Sequence, residues 1–126
     1  MELLLVEPHP VLARALKMGL AEEGFAVEVV NDQDRADERL GESGYDVILL
    51  DLPSGNSLHT FRRWRRAGLR TPVLVFTTSE SEIDRRAVDG AENLDISVKP
   101  FSFKELLTRL RRLVQIETHT EMSDSR

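Results

Sequence analysis

Residues 45–52 read Tyr45-Asp46-Val47-Ile48-Leu49-Leu50-Asp51-Leu52. The four apolar residues at its centre form an almost unbroken hydrophobic run with no polar alternation, which marks a strand covered on both faces rather than one with a wet side. Working outward, Leu3 to Val6, Ala26 to Val30, Val73 to Phe76 and Ile96 to Val98 are runs of the same kind, each followed by a polar or helical stretch. Leu12, Leu16 and Leu20 recur every fourth residue, and Phe103, Leu106, Leu107, Leu110, Leu113 and Val114 fall on one helical stripe. Two further helices, from about Gln33 to Glu42 and near Glu82 to Glu92, carry thinner apolar faces. Gly24, Gly44 and Gly68 stand where helices should end, and Pro10, Pro72 and Pro100 stand where elements should begin. Helical crossovers of this length make successive strands parallel. The expected architecture is α/β, a doubly wound (βα)5 sandwich around a parallel five-stranded sheet.

Composition narrows the chemistry. The chain has 126 residues and a formal net charge of −5, so attraction of the whole surface to nucleic acid or anionic membrane is not expected. Cys is absent, which excludes disulfides, thiolate metal sites and a Cys nucleophile and points to a reducing cytoplasm. No apolar run approaches the roughly 20 residues of a membrane span, and Met1 leads into a strand rather than a cleavable leader. Phe61 to Arg70 holds five arginines and no acid, but Phe61, Trp64 and Leu69 can face the sheet while the arginines stay solvated, so a nucleic-acid stripe is the weaker reading.

In an open parallel sheet ligands bind beyond the carboxyl ends of the strands. There the sequence places Glu7-Pro8-His9-Pro10, Asp51-Leu52-Pro53, Thr77-Thr78 and Lys99-Pro100. Two carboxylates, a hydroxyl and an ammonium on one edge suit binding or accepting a phosphoryl group. No Gly-rich phosphate loop follows the first strand, which counts against nucleotide and flavodoxin-type chemistry.

On Leu4 to Glu7, Tyr45 to Leu52, Thr71 to Thr77 and Val98 to Phe101 leading into Glu105-Leu106-Leu107, the chain resembles the CheY-like receiver domains of bacterial two-component response regulators, in particular their OmpR-like branch. The resemblance spans residues 1–116, leaving 117–126 as a polar, frayed tail or the start of a linker. It implies that Asp51 is the phosphoacceptor, that Thr77 is the switch hydroxyl and Lys99 the phosphate-pairing lysine, and that a sensor histidine kinase is a partner. It also implies a homodimer through the fourth helix, fifth strand and fifth helix, with Asp95, Glu105, Arg109 and Arg111 resembling the charges of that face. DNA contact is expected only from a C-terminal domain outside these residues.

Three departures reshape that expectation. The second of the usual two acids after the first strand is Pro8, the loop after Asp51 is about two residues short, and the usual switch aromatic is Ile96. Glu7 and Asp51 are the remaining metal carboxylates, and a pair of this kind holds Mg²⁺ weakly at best. No other cofactor is expected. Asp51 is expected to pair with Lys99, and Glu7 to be solvated or also paired with Lys99. The reading that results is a degenerate receiver, not an enzyme, which regulates by protein contact. Its alternative in the same fold is a working phosphoacceptor at Asp51. A phosphatase using Asp51 as nucleophile and His9 as acid or base lacks any oxyanion donor set in the sequence. His9 is expected to be a surface residue, and His59 and His119 surface or tail residues.

Overall fold

The computed structural model describes residues 1–53, 56–78 and 93–124, with residues 115–124 described as backbone. Five parallel strands form one sheet, β1 (Glu2–Val6), β2 (Ala26–Val30), β3 (Val47–Leu50), β4 (Val73–Thr77) and β5 (Leu94–Val98), in the order β2-β1-β3-β4-β5. The helices are α1 (Pro10–Glu22), α2 (Gln33–Glu42), α3 (Asn56–Arg66) and α4 (Phe103–Asp124). The helix expected near Glu82 to Glu92 lies outside the described residues.

Successive residues of a strand point to opposite faces, and the apolar runs use both. On one face Leu3, Leu5, Leu49, Leu74 and Phe76 meet Ala13, Leu16 and Leu20 of α1 and Leu106, Leu110 and Leu113 of α4. On the other, Leu4, Val6, Ile48, Leu50, Val73 and Val75 meet Ala36 of α2 and Phe61 and Trp64 of α3. The unbroken apolarity of β3 is thus the mark of its central place, flanked by β1 and β4 and covered twice.

Local chemistry sets the helix ends. Pro10 occupies the first turn of α1, where its missing N–H costs nothing, and Asp32 caps α2 by accepting the Arg35 N–H at 2.8 Å. Gly24 and Gly68 have φ of 96° and 99°, the left-handed conformation that lets the chain turn back after α1 and α3. Glu28 on β2 ties down α2, accepting hydrogen bonds from Arg39 Nε and from the Tyr45 hydroxyl, both at 2.6 Å. The arginines of α3 are divided between packing and solvent. Arg63 and the Trp64 indole both donate to Asp37, and Arg65 lies over the Phe61 ring, while Arg62, Arg66 and Arg70 are exposed.

One expectation needs correction. Leu12 does not join Leu16 and Leu20 in the core but is 37% exposed, and Ala13 takes the inward place. The backbone of α4 runs on past 116 as helix to Asp124, through a stretch with neither Gly nor Pro.

Candidate functional site

The strand order reverses between β1 and β3, whose neighbours lie on opposite sides, and at such a switch point the loops splay apart and leave a crevice beyond the carboxyl ends. A cavity of about 190 Å³ opens there, lined by Glu7, Pro8 and His9 after β1, Asp51 to Pro53 after β3, Thr77 and Thr78 at the end of β4, and Ile96 and Lys99 of β5 and its loop. The sheet brings Glu7, Asp51, Thr77 and Lys99 together as the sequence predicted, in a space the size of a phosphoryl group rather than a nucleotide.

The Lys99 ammonium donates to Asp51 Oδ2 at 2.6 Å, and Asp51 is 6% exposed, so the expected ion pair is formed and largely shielded from water. The Lys99 N–H also donates to the Thr77 carbonyl at 2.7 Å, which fixes the lysine to the end of β4. Glu7 departs from expectation. It is neither solvated nor ion-paired to Lys99: it has no exposed surface, its Oε2 accepts the His9 N–H at 3.2 Å, and its buried Oε1 has no hydrogen-bond partner. Burial, reinforced by the Asp51 carboxyl beside it, pushes the Glu7 carboxyl up to about 7. Pro8, beside it in the cavity wall, adds no polar side chain.

His9 is exposed, as expected, and acts through its backbone as the N-terminal cap residue of α1. Sequence reasoning missed Ser57. Its buried hydroxyl accepts the Leu52 N–H at 2.8 Å, pinning the chain directly after Asp51. The signal was available, since a hydroxyl just inside a helix can bond backwards to the loop that precedes it. Ile96 lines the cavity at the position of the missing aromatic.

Of the four charges assigned to a dimer face, Asp95 and Arg109 meet across β5 and α4 at 3.1 Å, and Glu105 is exposed one turn earlier. Arg111 is the exception and pairs with Glu23 beyond the end of α1 at 2.7 Å. Two residues along a helix turn about 200°, so Arg109 and Arg111 serve opposite sides of α4.

As to metal, Glu7 and Asp51 supply two carboxylates, and among the described residues no group of three or more His, Cys, Asp or Glu side chains is placed to hold an ion. The orphaned Oε1 of Glu7 is an atom that either a cation or a proton would satisfy. Two carboxylates completed by water fit a weakly held Mg²⁺. Among the described residues no helix is long and apolar enough to cross a membrane.

Residues 3–111 match the response regulator receiver domain family. Over 122 residues the chain is 39% identical to the transcriptional regulatory protein TrcR of Mycobacterium tuberculosis, covering 94% of this chain and 47% of TrcR. It is 41% identical over 117 residues to the transcriptional regulatory protein CutR of Streptomyces coelicolor, covering 90% of this chain and 53% of CutR. The chain therefore spans about half the length of the curated relatives it matches. Among solved structures it is similar to the receiver domain of the sensor histidine kinase PA1611 from Pseudomonas aeruginosa, described with a magnesium ion coordinated in its active site cleft. The TM-score is 0.72 at 32% identity, over 90% of this chain and 97% of that one.

Proposed function

The chain belongs to the response regulator receiver domain family, and from that premise we propose that it signals by protein contact, with homodimerisation as its output and little Mg²⁺-dependent phosphorylation of Asp51. The observation that carries this reading is Pro8, a side chain without a ligand atom, in the cavity wall between Glu7 and His9. Of the two carboxylates left, Asp51 is neutralised by Lys99 and Glu7 is buried beside it. Glu7 and Asp51 would hold a bound Mg²⁺, which would shield the charge of an incoming phosphoryl group. Lys99 neutralises Asp51 without either, and the Glu7 Oε1 is left without a hydrogen-bond partner. The relatives are transcriptional regulatory proteins about twice as long, which supports placing this domain as the regulatory half of a DNA-binding regulator in the cytoplasm.

The convergence of Asp51, Thr77 and Lys99 on one cavity favours a second reading, a working phosphoacceptor. In that reaction an Asp51 oxygen attacks the phosphorus of a sensor kinase's phosphohistidine. A P–O bond forms as the P–N bond breaks, and the electron pair leaves with the imidazole nitrogen. Thr77 and Lys99 meet the phosphoryl oxygens.

Titration with Mg²⁺ and beryllofluoride separates the two. For the degenerate pocket, Mg²⁺ at about 10 mM raises the melting temperature by less than about 3 °C, as expected of an ion bound no tighter than that concentration. Amide signals around Asp51 then stay in place when beryllofluoride is added. A Mg²⁺-dependent, saturable change centred on Asp51 at submillimolar metal establishes the phosphoacceptor instead.

The dimer face of this reading is the expected one, the helix before β5 together with β5 and α4, with Asp95, Glu105, Arg109 and Arg111 as its charges; within the chain Asp95 and Arg109 already pair with each other and Arg111 with Glu23. Sedimentation of the unmodified protein should show a dimer that the double variant Asp95→Ala/Arg109→Ala converts to monomer. A monomer at every concentration in both removes dimerisation from the proposal.

A further inference from the structure

The two helices that cover one face of the sheet carry opposite charges on their outer surfaces. On α2 the exposed Asp34 and Glu38 stand one turn apart, and on α3 the exposed Arg62 and Arg66 do the same. A helix turns about 100° per residue, which puts the two acids on the side of α2 away from buried Ala36. By the same count the two arginines lie on the side of α3 away from buried Phe61 and Trp64.

The seam between the helices fixes their register. The Thr60 hydroxyl donates to Gln33 at 2.9 Å, and Arg63 and the Trp64 indole donate to Asp37 at 2.9 and 2.8 Å. Gln33 is therefore level with Thr60 and Asp37 with Arg63, so the helices run in the same direction. Asp34 and Glu38 come to rest near the heights of Arg62 and Arg66. Because Asp37 and Arg63 already close the seam, the outer rows are left over. Among the described residues neither Asp34 nor Glu38 pairs with a cation, and neither Arg62 nor Arg66 pairs with an acid.

An acidic row beside a basic row at matching height is self-complementary. A two-fold axis along the helices, in the plane of contact, sets α2 of each copy against α3 of the other and leaves the heights unchanged. We propose that α2 and α3 form a docking face for a second copy of this chain, in which Asp34 and Glu38 of each copy meet Arg62 and Arg66 of the other. Two helices a side bury less than the roughly 1,200 Å² of a stable complex, and the pairs are exposed, so the contact is weak and screened by salt. It lies on the opposite face of the sheet from α1 and α4 and does not depend on the β5 and α4 dimer or on phosphorylation of Asp51. Where both contacts form, they link dimers into larger assemblies.

The test is sedimentation at about 20 and about 300 mM salt in the Asp95→Ala/Arg109→Ala background, which takes the other proposed dimer face out of the measurement. Self-association should appear at the lower salt and weaken at least about tenfold at the higher. Arg62→Glu/Arg66→Glu makes both rows acidic and Asp34→Lys/Glu38→Lys makes both basic, so each variant alone should be monomeric. Mixed in equal amounts they should associate one to one, which loss of folding could not produce. The variant with all four substitutions has its rows exchanged and its net charge unchanged, and should self-associate as the parent does. The proposal fails if the parent is monomeric at both salts, if either charge variant alone associates as before, or if the mixture or the exchanged variant stays monomeric. A parent that stays monomeric and holds duplex DNA through Arg62 and Arg66 would give the basic row to nucleic acid and overturn it.

Discussion

Glu7→Gln is expected to stabilise the protein at pH 8 by on the order of 3 kcal/mol while changing little at pH 4.5. The Glu7 carboxyl ionises near 7 in the folded chain against an ordinary value of 4.5, so the folded state holds a proton that the unfolded state gives up between those two values. With a raised carboxyl the unfolded state binds fewer protons through that window. Stability from this group is therefore fully present below pH 4.5, falls as pH rises toward 7, and is flat above it. Each unit is worth roughly 1.4 kcal/mol, and the window from 4.5 to about 7 sets the total. Asp51 and Lys99 face Glu7 across the cavity, and the His9 N–H donates to its Oε2. A glutamine reproduces the protonated state. Its carbonyl keeps the bond from the His9 N–H and its amide donates toward Asp51, with no charge to desolvate. Urea unfolding followed by the fluorescence of buried Trp64, in chelator at pH 4.5, 6 and 8, measures this. The slope between pH 4.5 and 7 should vanish in Glu7→Gln. Parallel curves for the two proteins would show that Glu7 ionises freely in the folded chain.

The burial of Glu7 is also where the sequence was least informative. Apolar runs announced all five strands, because two-sided burial writes itself into consecutive residues, and β2 and β3 have the expected bounds. β5 gained Leu94 and Asp95, since parallel pairing with β4 begins at Val73 and Leu94 whatever the local polarity. The site's composition was equally legible, because strand ends in a parallel sheet converge on one edge by topology alone. What each group does there was not. Whether Glu7 meets water depends on Pro8, Asp51 and the turn into α1, and its local sequence looks like any exposed strand end. Arg111 shows the same limit: it reads as one more charge on a helix until the end of α1 brings Glu23 to it.

The second large effect follows from the proposed shortage of metal carboxylates. Pro8→Asp should make Mg²⁺ binding at least about tenfold tighter, a gain of about 1.4 kcal/mol or more. A third carboxylate joins Glu7 and Asp51 in the cavity wall that Pro8 now lines. The backbone permits the change, since the φ that proline imposes is open to aspartate. Without metal the variant should melt lower than the unmodified chain, because three acids then face the single ammonium of Lys99 and like charges in a shielded site repel. With Mg²⁺ the order should reverse, as a divalent cation converts that repulsion into binding. Pro8→Asn separates charge from backbone: it restores the N–H and adds a neutral oxygen, so it should leave affinity nearly unchanged. The readout is the Mg²⁺ dependence of melting temperature and of amide shifts near Asp51, repeated with beryllofluoride. If Pro8→Asp binds metal no better than the unmodified protein, the shortage of carboxylates is not what weakens the site. The short loop after Asp51, where Ser57 fixes the Leu52 N–H, becomes the cause to pursue.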